Sequence, residues 1–94
     1  MITTEVRVAR GAALLDQDLP DWEKRVTLET LDIASRDACI LAECYGGYHA
    51  GLKKLGVGVR SARSLGFNLY SPLDAQALRD AWRRFITARR EAKP

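Results

Sequence analysis

The stretch Leu41–Leu55, LAECYGGYHAGLKKL, decides which fold the chain is predicted to adopt. Five apolar side chains recur in it at intervals of four and three residues, which is the spacing of one helical face. They are Leu41, Tyr45, Tyr48, Leu52 and Leu55. Ser35 is a candidate N-cap ahead of this face, and Gly56 follows it where helices commonly end. The pattern therefore predicts a central helix over residues 35–55.

The octet Cys44–Gly51, CYGGYHAG, has the residue types of a reactive site: a thiol, three glycines and the only histidine of the chain. In a helix Cys44 and His49 point about 140° apart, so they do not form a catalytic pair, which needs hydrogen-bond contact. The glycines follow no predicted strand and lack the Lys-Ser/Thr of a phosphate-binding loop. We therefore interpret the octet as architecture and His49 as a surface residue.

Gly47 and Gly51 lie on one side of this predicted helix. Small residues so placed let another helix approach closely, and on this interpretation Gly47→Leu loosens or unfolds the protein. The pair Gly46-Gly47 is also a candidate kink.

The N-terminal region predicts a helix from Thr4 to Gln17, capped by Thr3 or Thr4. Its predicted buried face consists of Val6, Ala9, Ala13 and Leu14. Because Val6 and Val8 also alternate, a short extended N-terminal segment is the alternative.

Shorter segments follow on either side of the central helix. Asp21–Arg25 predicts one turn of helix after the stop at Pro20, whereas residues 27–33 fit either a helical turn or an extended connection. Arg60–Phe67 predicts a short helix that stops at Gly66.

The last helix has the clearest start, because Ser71-Pro72-Leu73-Asp74 combines a cap, a first-turn proline and a capping-box acid. Its predicted buried face consists of Leu78, Trp82, Phe85 and Ile86. The 94 residues thus predict an all-α fold, a single-domain helical bundle of about four helices over positions 1–94.

Composition bounds the function. No apolar run approaches the roughly 20 residues of a bilayer span, and the start MITTEVRVAR lacks the layout of a signal peptide. These features predict a cytoplasmic protein without a membrane partner.

The charges are unevenly distributed along the chain. Residues 1–44 carry nine acids against five bases, and residues 45–94 carry ten bases against three acids. The two halves either pair internally or present a basic face to a partner.

Cys39 and Cys44 do not make a disulfide framework. On the predicted helix they point about 140° apart, which disfavours a bond between them. We expect two reduced, buried thiols. A lone histidine with two cysteines also lacks the spacing of a zinc site, so neither metal nor cofactor is expected.

An acidic region around Trp22 is the first candidate binding surface. A tryptophan beside a proline turn, with Asp18 and Asp21 near it, is typical of a protein-interaction hot spot. The alternative is that Trp22 closes the bundle as a core residue. Tyr45 and Tyr48 are further candidate interaction residues and would form the interface of a homo-oligomer.

The basic C-terminal half is the second candidate surface. Its candidate nucleic-acid-binding residues are Arg60, Arg63, Arg79, Arg83 and Arg84. Two predicted helices with a loop between them have a loose likeness to a helix-turn-helix, although the link exceeds the usual turn of three to four residues. A solvated helix face is the alternative for these arginines.

Several motifs keep a common order along residues 10–86. They are Arg10–Asp16 (RGAALLD), Pro20-x-Trp22, Leu28-x-x-Leu31-Asp32, Ser35-x-x-x-Cys39-x-Leu41, Tyr45-Gly46-x-Tyr48-x-x-Gly51-Leu52, Gly66-Phe67 and Ala81-Trp82. This pattern resembles a group of small proteins encoded by actinobacteriophages and their prophages. Members often carry a second cysteine three residues before the position of Cys39, where this chain has Arg36, so a role built on that cysteine pair is not expected here. The resemblance implies a phage or prophage origin and no particular chemistry.

The leading hypothesis is a non-enzymatic, phage-encoded binding protein that engages a host protein in the host cytoplasm. The alternatives are a small basic DNA-binding or regulatory protein and a homo-oligomeric structural module.

Overall fold

A computed structural model of the chain describes residues 3–92. Within this range the protein has five α-helices, two 3₁₀ helices and no strand, so the predicted all-α class is confirmed. The α-helices are α1 (Thr4–Asp18), α2 (Ile40–Tyr45), α3 (Tyr48–Leu55), α4 (Val59–Ser64) and α5 (Ala75–Ala92). The 3₁₀ helices are Trp22–Arg25 and Pro72–Asp74.

Helix α1 begins as predicted, with the Thr3 hydroxyl oxygen accepting the Val6 N–H at 3.1 Å. The extended alternative is wrong for residues 4–18, which are helical. The predicted buried face is also wrong. Val8, Ala12 and Leu15 are buried at helical spacing, whereas Val6 is 42% exposed. Val, Ala and Leu side chains occur on every side of this helix, so their periodicity does not identify the face that is buried.

Gly11 lies where α1 meets the chain after α4. A Cβ atom at this position would lie 2.1 Å from the Leu65 carbonyl oxygen and 3.2 Å from the Phe67 ring. The missing side chain therefore lets the helix backbone approach the following segment.

The predicted central helix over residues 35–55 is wrong, because two helices occupy its length. Gly46 has a left-handed φ of 86° and ends α2, and the extended Gly47 precedes α3. The chain before α2 forms turns, in which the Asp32 N–H donates to the Ala38 carbonyl at 3.0 Å. The glycine pair thus acts as a full break, and α2 and α3 fold onto each other.

Gly51, and not Gly47, lies where α2 and α3 approach each other closely. A Cβ at Gly51 would lie 2.7 Å from the Leu41 Cβ, whereas at Gly47 its nearest such neighbour is the Ala50 Cβ at 3.9 Å. We expect Gly51→Ala to lower the free energy of unfolding by about 1–3 kcal/mol through overpacking. Gly47→Ala is its matched control and should change the urea midpoint little. Equal midpoints for the two variants would contradict the α2–α3 packing.

Trp82 of α5 is the centre of the core. Trp22 meets it edge-on with ring centroids 5.8 Å apart, and Phe67 stacks on it at 6.0 Å. Its indole N–H donates to the Gly66 carbonyl at 2.6 Å. Leu78 and Ile86 are also fully buried, so the predicted buried face of α5 is confirmed apart from the partly buried Phe85.

The start of the last helix differs from the prediction. Residues 72–74 are 3₁₀, α5 begins at Ala75, and the Ser71 side chain makes no capping bond. The Asp74 carboxylate instead accepts the Tyr70 N–H at 3.0 Å and pairs with Arg7. Asp74 thus forms a long-range ion pair in place of the predicted local cap. The spacing of residues in the sequence does not reveal such a pair.

Candidate binding surfaces

Trp22 is fully buried, so its predicted role as an exposed interaction residue is wrong. Its indole N–H donates to the Asp16 carboxylate at 2.8 Å, and Arg89 donates two hydrogen bonds to the same carboxylate at 2.8 and 3.2 Å. The ring also stacks near Phe85. The turn at Pro20 therefore directs the tryptophan onto α5, where it closes the bundle.

The other acidic and tyrosine candidates divide between surface and core. Asp18 is exposed but accepts the Tyr45 hydroxyl at 2.8 Å and lies 4.0 Å from the Lys54 ammonium. Burial and the Asp18 hydrogen bond raise the pKa of Tyr45. Asp21 is exposed, with a left-handed φ of 66°. Tyr48 is only 9% exposed, so it offers little surface to the predicted self-interface, which stays a prediction.

Ion pairs join the acidic and basic halves of the chain. Asp16 pairs with Arg89, Glu5 with Arg84 and Asp18 with Lys54. Exposed pairs of this kind contribute about 0–1 kcal/mol each. Internal pairing therefore accounts for part of the charge asymmetry without a partner.

The five candidate arginines lie on two helices. Arg84 pairs with Glu5, and the Arg79 Nε lies 3.7 Å from Asp80. Arg60, Arg63 and Arg83 are exposed, and none forms an ion pair with another residue of the range 3–92.

The helix-turn-helix likeness is wrong. Residues 65–74, which include a 3₁₀ helix, separate α4 from α5. That link is much longer than the motif's turn.

Arg7 is not among the predicted site residues, yet it is 2% exposed and among the most buried charged residues described. Its Nε donates to the Arg63 carbonyl at 2.8 Å, and one terminal nitrogen donates to the Asn68 carbonyl at 2.9 Å. Its other terminal nitrogen lies 2.8 Å from the Asp74 carboxylate. Arg7 joins α1 to the loop before α5. The signal in the sequence is that Gly11 and Leu14, a small and an apolar residue, follow Arg7 on the same helical face.

We call residues 70–74 the braced turn. Its Leu73 is 94% exposed and its Tyr70 is 54% exposed. The Arg7 guanidinium lies 4.5 Å from the centroid of the Tyr70 ring. Asp74 ties the backbone of the turn to Arg7. An aliphatic and an aromatic side chain are therefore displayed on a segment that the core holds in place.

A groove of about 280 Å³ lies between residues 33–36, the start of α3 and the start of α4. We call it the Tyr48 groove. Its polar lining consists of Ser35, Arg36, Tyr48, His49 and Asn68. Ile33, Ala34 and Val59 form the apolar wall. The described part of the chain places no acidic residue in this lining.

Cys39 and Cys44 are buried and form no disulfide. Burial raises the pKa of Cys44 to about 12 and also raises the pKa of Cys39. Both thiols therefore stay protonated near neutral pH. His49 is exposed, as predicted, and meets the Tyr48 ring edge-on at 5.1 Å.

Between residues 3 and 92, no three histidine, cysteine or acidic side chains are grouped so that they could hold a metal ion. No helix in that range has the length and apolar character to cross a membrane. Comparison with protein-family models, curated proteins and solved structures found no match for this chain.

Proposed function

We propose that this chain is a non-enzymatic, phage- or prophage-encoded binding protein that engages a host protein through the braced turn. The observation that supports the proposal is the position of Leu73, whose side chain is 94% exposed on a segment tied to the core. Single exposed leucines are common on protein surfaces. The combination of Leu73 with the half-exposed Tyr70 on one short turn supports an interface.

The bracing favours binding because it lowers the entropy lost on association. A flexible loop must be ordered when it binds, which costs about 0.5–1.5 kcal/mol for each immobilised side chain. Here the Asp74 carboxylate already holds the turn through the Tyr70 N–H and Arg7. Burying one leucine side chain in a partner pocket would then contribute about 1.5–3 kcal/mol. Tyr70 supplies the residue type that is enriched among interface hot spots, and the exposed Leu73 beside it supplies apolar contact area.

The test compares two exposed apolar positions. Purified wild type, Leu73→Ser and Val59→Ser are immobilised and exposed to lysate of an actinobacterial host, and retained proteins are purified and their affinities measured. Val59 is the control because it is also exposed, at 52%, but lies away from the turn. We expect a host protein that binds wild type and Val59→Ser alike and binds Leu73→Ser at least tenfold more weakly.

Two results would contradict the proposal. One is that no host protein binds, or that the partner binds Leu73→Ser as tightly as wild type. The other is that sedimentation shows wild type forming a dimer that Leu73→Ser cannot form, since the occupant of the surface is then a second copy of this chain.

Nucleic-acid binding is the second candidate function, supported by the exposed Arg60, Arg63 and Arg83. Each phosphate contact would lower the slope of log affinity against log salt concentration by about 0.9. We expect duplex DNA to bind with a steep salt dependence that Arg60→Gln/Arg63→Gln makes shallower. Arg84→Gln is the control, because Arg84 is already paired with Glu5. Absence of DNA binding at low salt would remove this candidate.

A further inference from the structure

We infer that the Tyr48 groove is a binding site for a small organic phosphate, with the phosphate group held by Arg36 and Tyr48. The groove is distinct from the braced turn, and none of the functions proposed above uses it.

The first property is an available buried donor. Tyr48 is 9% exposed, and its hydroxyl oxygen accepts the Asn68 side-chain N–H at 3.1 Å. The orientation of that amide is fixed, because its oxygen accepts the Leu69 N–H at 2.8 Å. The Tyr48 hydroxyl is thus an acceptor toward Asn68, and its own proton has no acceptor among residues 3–92. Because Tyr48 lines the groove, this hydroxyl proton is available to an oxygen of a ligand bound there.

The second property is the charge of the lining. Arg36 is exposed, and its guanidinium makes no hydrogen bond or ion pair with the described residues. A guanidinium presents a planar set of donors that matches phosphate oxygens in pairs. Ser35 adds a hydroxyl whose oxygen accepts the Asp37 N–H at 3.2 Å and whose proton is a further donor in the lining. His49 supplies a further ring nitrogen on the same rim.

The third property is the local backbone. Gly47 precedes α3 and has no side chain with which to cap the first amides of that helix. Those amides belong to residues that include Tyr48 and His49, which line the groove. The positive end of the helix therefore adds to the field of the donor side chains. The glycine break brings these donors to the rim, because an unbroken helix would leave no helix start here.

The ligand class follows from the number and arrangement of donors. They approach from residues 35–36 on one side and from α3 on the other, which suits a tetrahedral group better than a planar carboxylate. The apolar wall of Ile33 and Val59 provides contact for an organic part of the ligand. The volume of about 280 Å³ lies just below the roughly 300–1,000 Å³ of common ligand pockets, so the ligand must be small. A small phosphate monoester fits these conditions.

The test titrates the isotope-labelled full chain with phenyl phosphate, inorganic phosphate and benzoate while amide shifts are recorded. We expect saturable shifts for the amides of Tyr48 and His49 and for the Asn68 side chain, with phenyl phosphate binding more tightly than either other probe. Arg36→Gln should weaken phenyl phosphate binding at least tenfold, and Tyr48→Phe should weaken it several-fold. Arg83→Gln, an exposed arginine outside the groove, should leave the affinity unchanged.

Three outcomes would overturn the inference. Shifts that do not saturate would show that no site exists, and equal losses for Arg36→Gln and Arg83→Gln would show general attraction to a basic surface. Benzoate binding as tightly as phenyl phosphate would contradict the phosphate class. The thermal midpoints of all three variants are measured alongside, and Val59→Glu, which places an acid at the exposed rim, must also abolish binding if any other variant fails to fold.

Discussion

Replacing Arg7 by methionine should lower the free energy of unfolding by about 3–5 kcal/mol, the range seen when one partner of a buried ion pair is removed. The variant keeps much of the side-chain volume and places it in the same space. It removes the cation that neutralises Asp74, whose side chain is only 15% exposed. Since small domains have free energies of unfolding of about 5–15 kcal/mol, this loss is a large part of the total stability.

Hydrogen bonding adds to the loss. In the variant, the carbonyls of Arg63 and Asn68 lose the donors that Arg7 supplies at 2.8 and 2.9 Å. A fully buried acceptor left without a donor costs about 1–3 kcal/mol, and these two bonds are partly buried, so each contributes less than that. Arg7→Lys should recover only part of the stability, because one ammonium cannot reproduce the fork of contacts.

Urea unfolding followed by tryptophan fluorescence measures the effect, and Arg10→Met is the matched control. Arg10 lies one turn further along α1 and is exposed, so its substitution should change stability by less than about 0.5 kcal/mol. Similar midpoints for the two variants would mean that the contacts of Arg7 do not hold α1 to the loop before α5.

Gly11→Ala is the second substitution with a large expected effect. It should destabilise the protein, although helix propensity favours alanine over glycine. Alanine in a helix interior is normally favoured over glycine by about 1 kcal/mol. Here the new Cβ would lie 2.1 Å from the Leu65 carbonyl oxygen. A backbone oxygen cannot move aside as the end of a flexible side chain can. Because overpacking typically costs about 1–3 kcal/mol and occasionally more, we expect a net loss of about 3 kcal/mol.

Thermal and urea unfolding of Gly11→Ala beside Gly58→Ala test this expectation. Gly58 has an ordinary φ of −77°, and a Cβ there would meet no heavy atom within 4 Å. The Gly58 variant should lose no more than about 1 kcal/mol, because Gly58 is the N-cap of α4, where alanine is less favourable than glycine. A more stable Gly11→Ala protein would show that propensity outweighs packing at this contact.

Helical spacing was sufficient to predict the fold class and the existence of α1 and α5. Helical spacing failed at residues 35–55, where the same apolar pattern continues across the break between α2 and α3. Leu41 and Cys44 of α2, and Tyr48 and Leu52 of α3, are all buried, and their spacing is that of a continuous helix. Both helices turn these faces into the shared core, so the periodicity of the sequence continues where the helix itself is interrupted. Only the glycine pair itself signals the break.

The binding surfaces were harder to predict, since burial of a charged or aromatic side chain depends on residues far away in the sequence. Trp22 resembles an exposed hot spot until Asp16 and α5 are placed against it. Arg7 resembles a surface residue until Asp74 is brought to it. The exposure of Leu73 likewise follows from the tie between Asp74 and Arg7, which displaced the local cap.

The packing of α1 against α5 has a consequence for synthesis on the ribosome. The first helix leaves the ribosome long before its buried partners, Asp74 and the α5 face, which come much later in the sequence. Until α5 emerges, Arg7 and the apolar side of α1 have no completed core to join. Domains generally fold as units during synthesis, and this one reaches its native contacts only once α5 has left the ribosome. A nascent chain stalled before α5 emerges should therefore remain sensitive to protease.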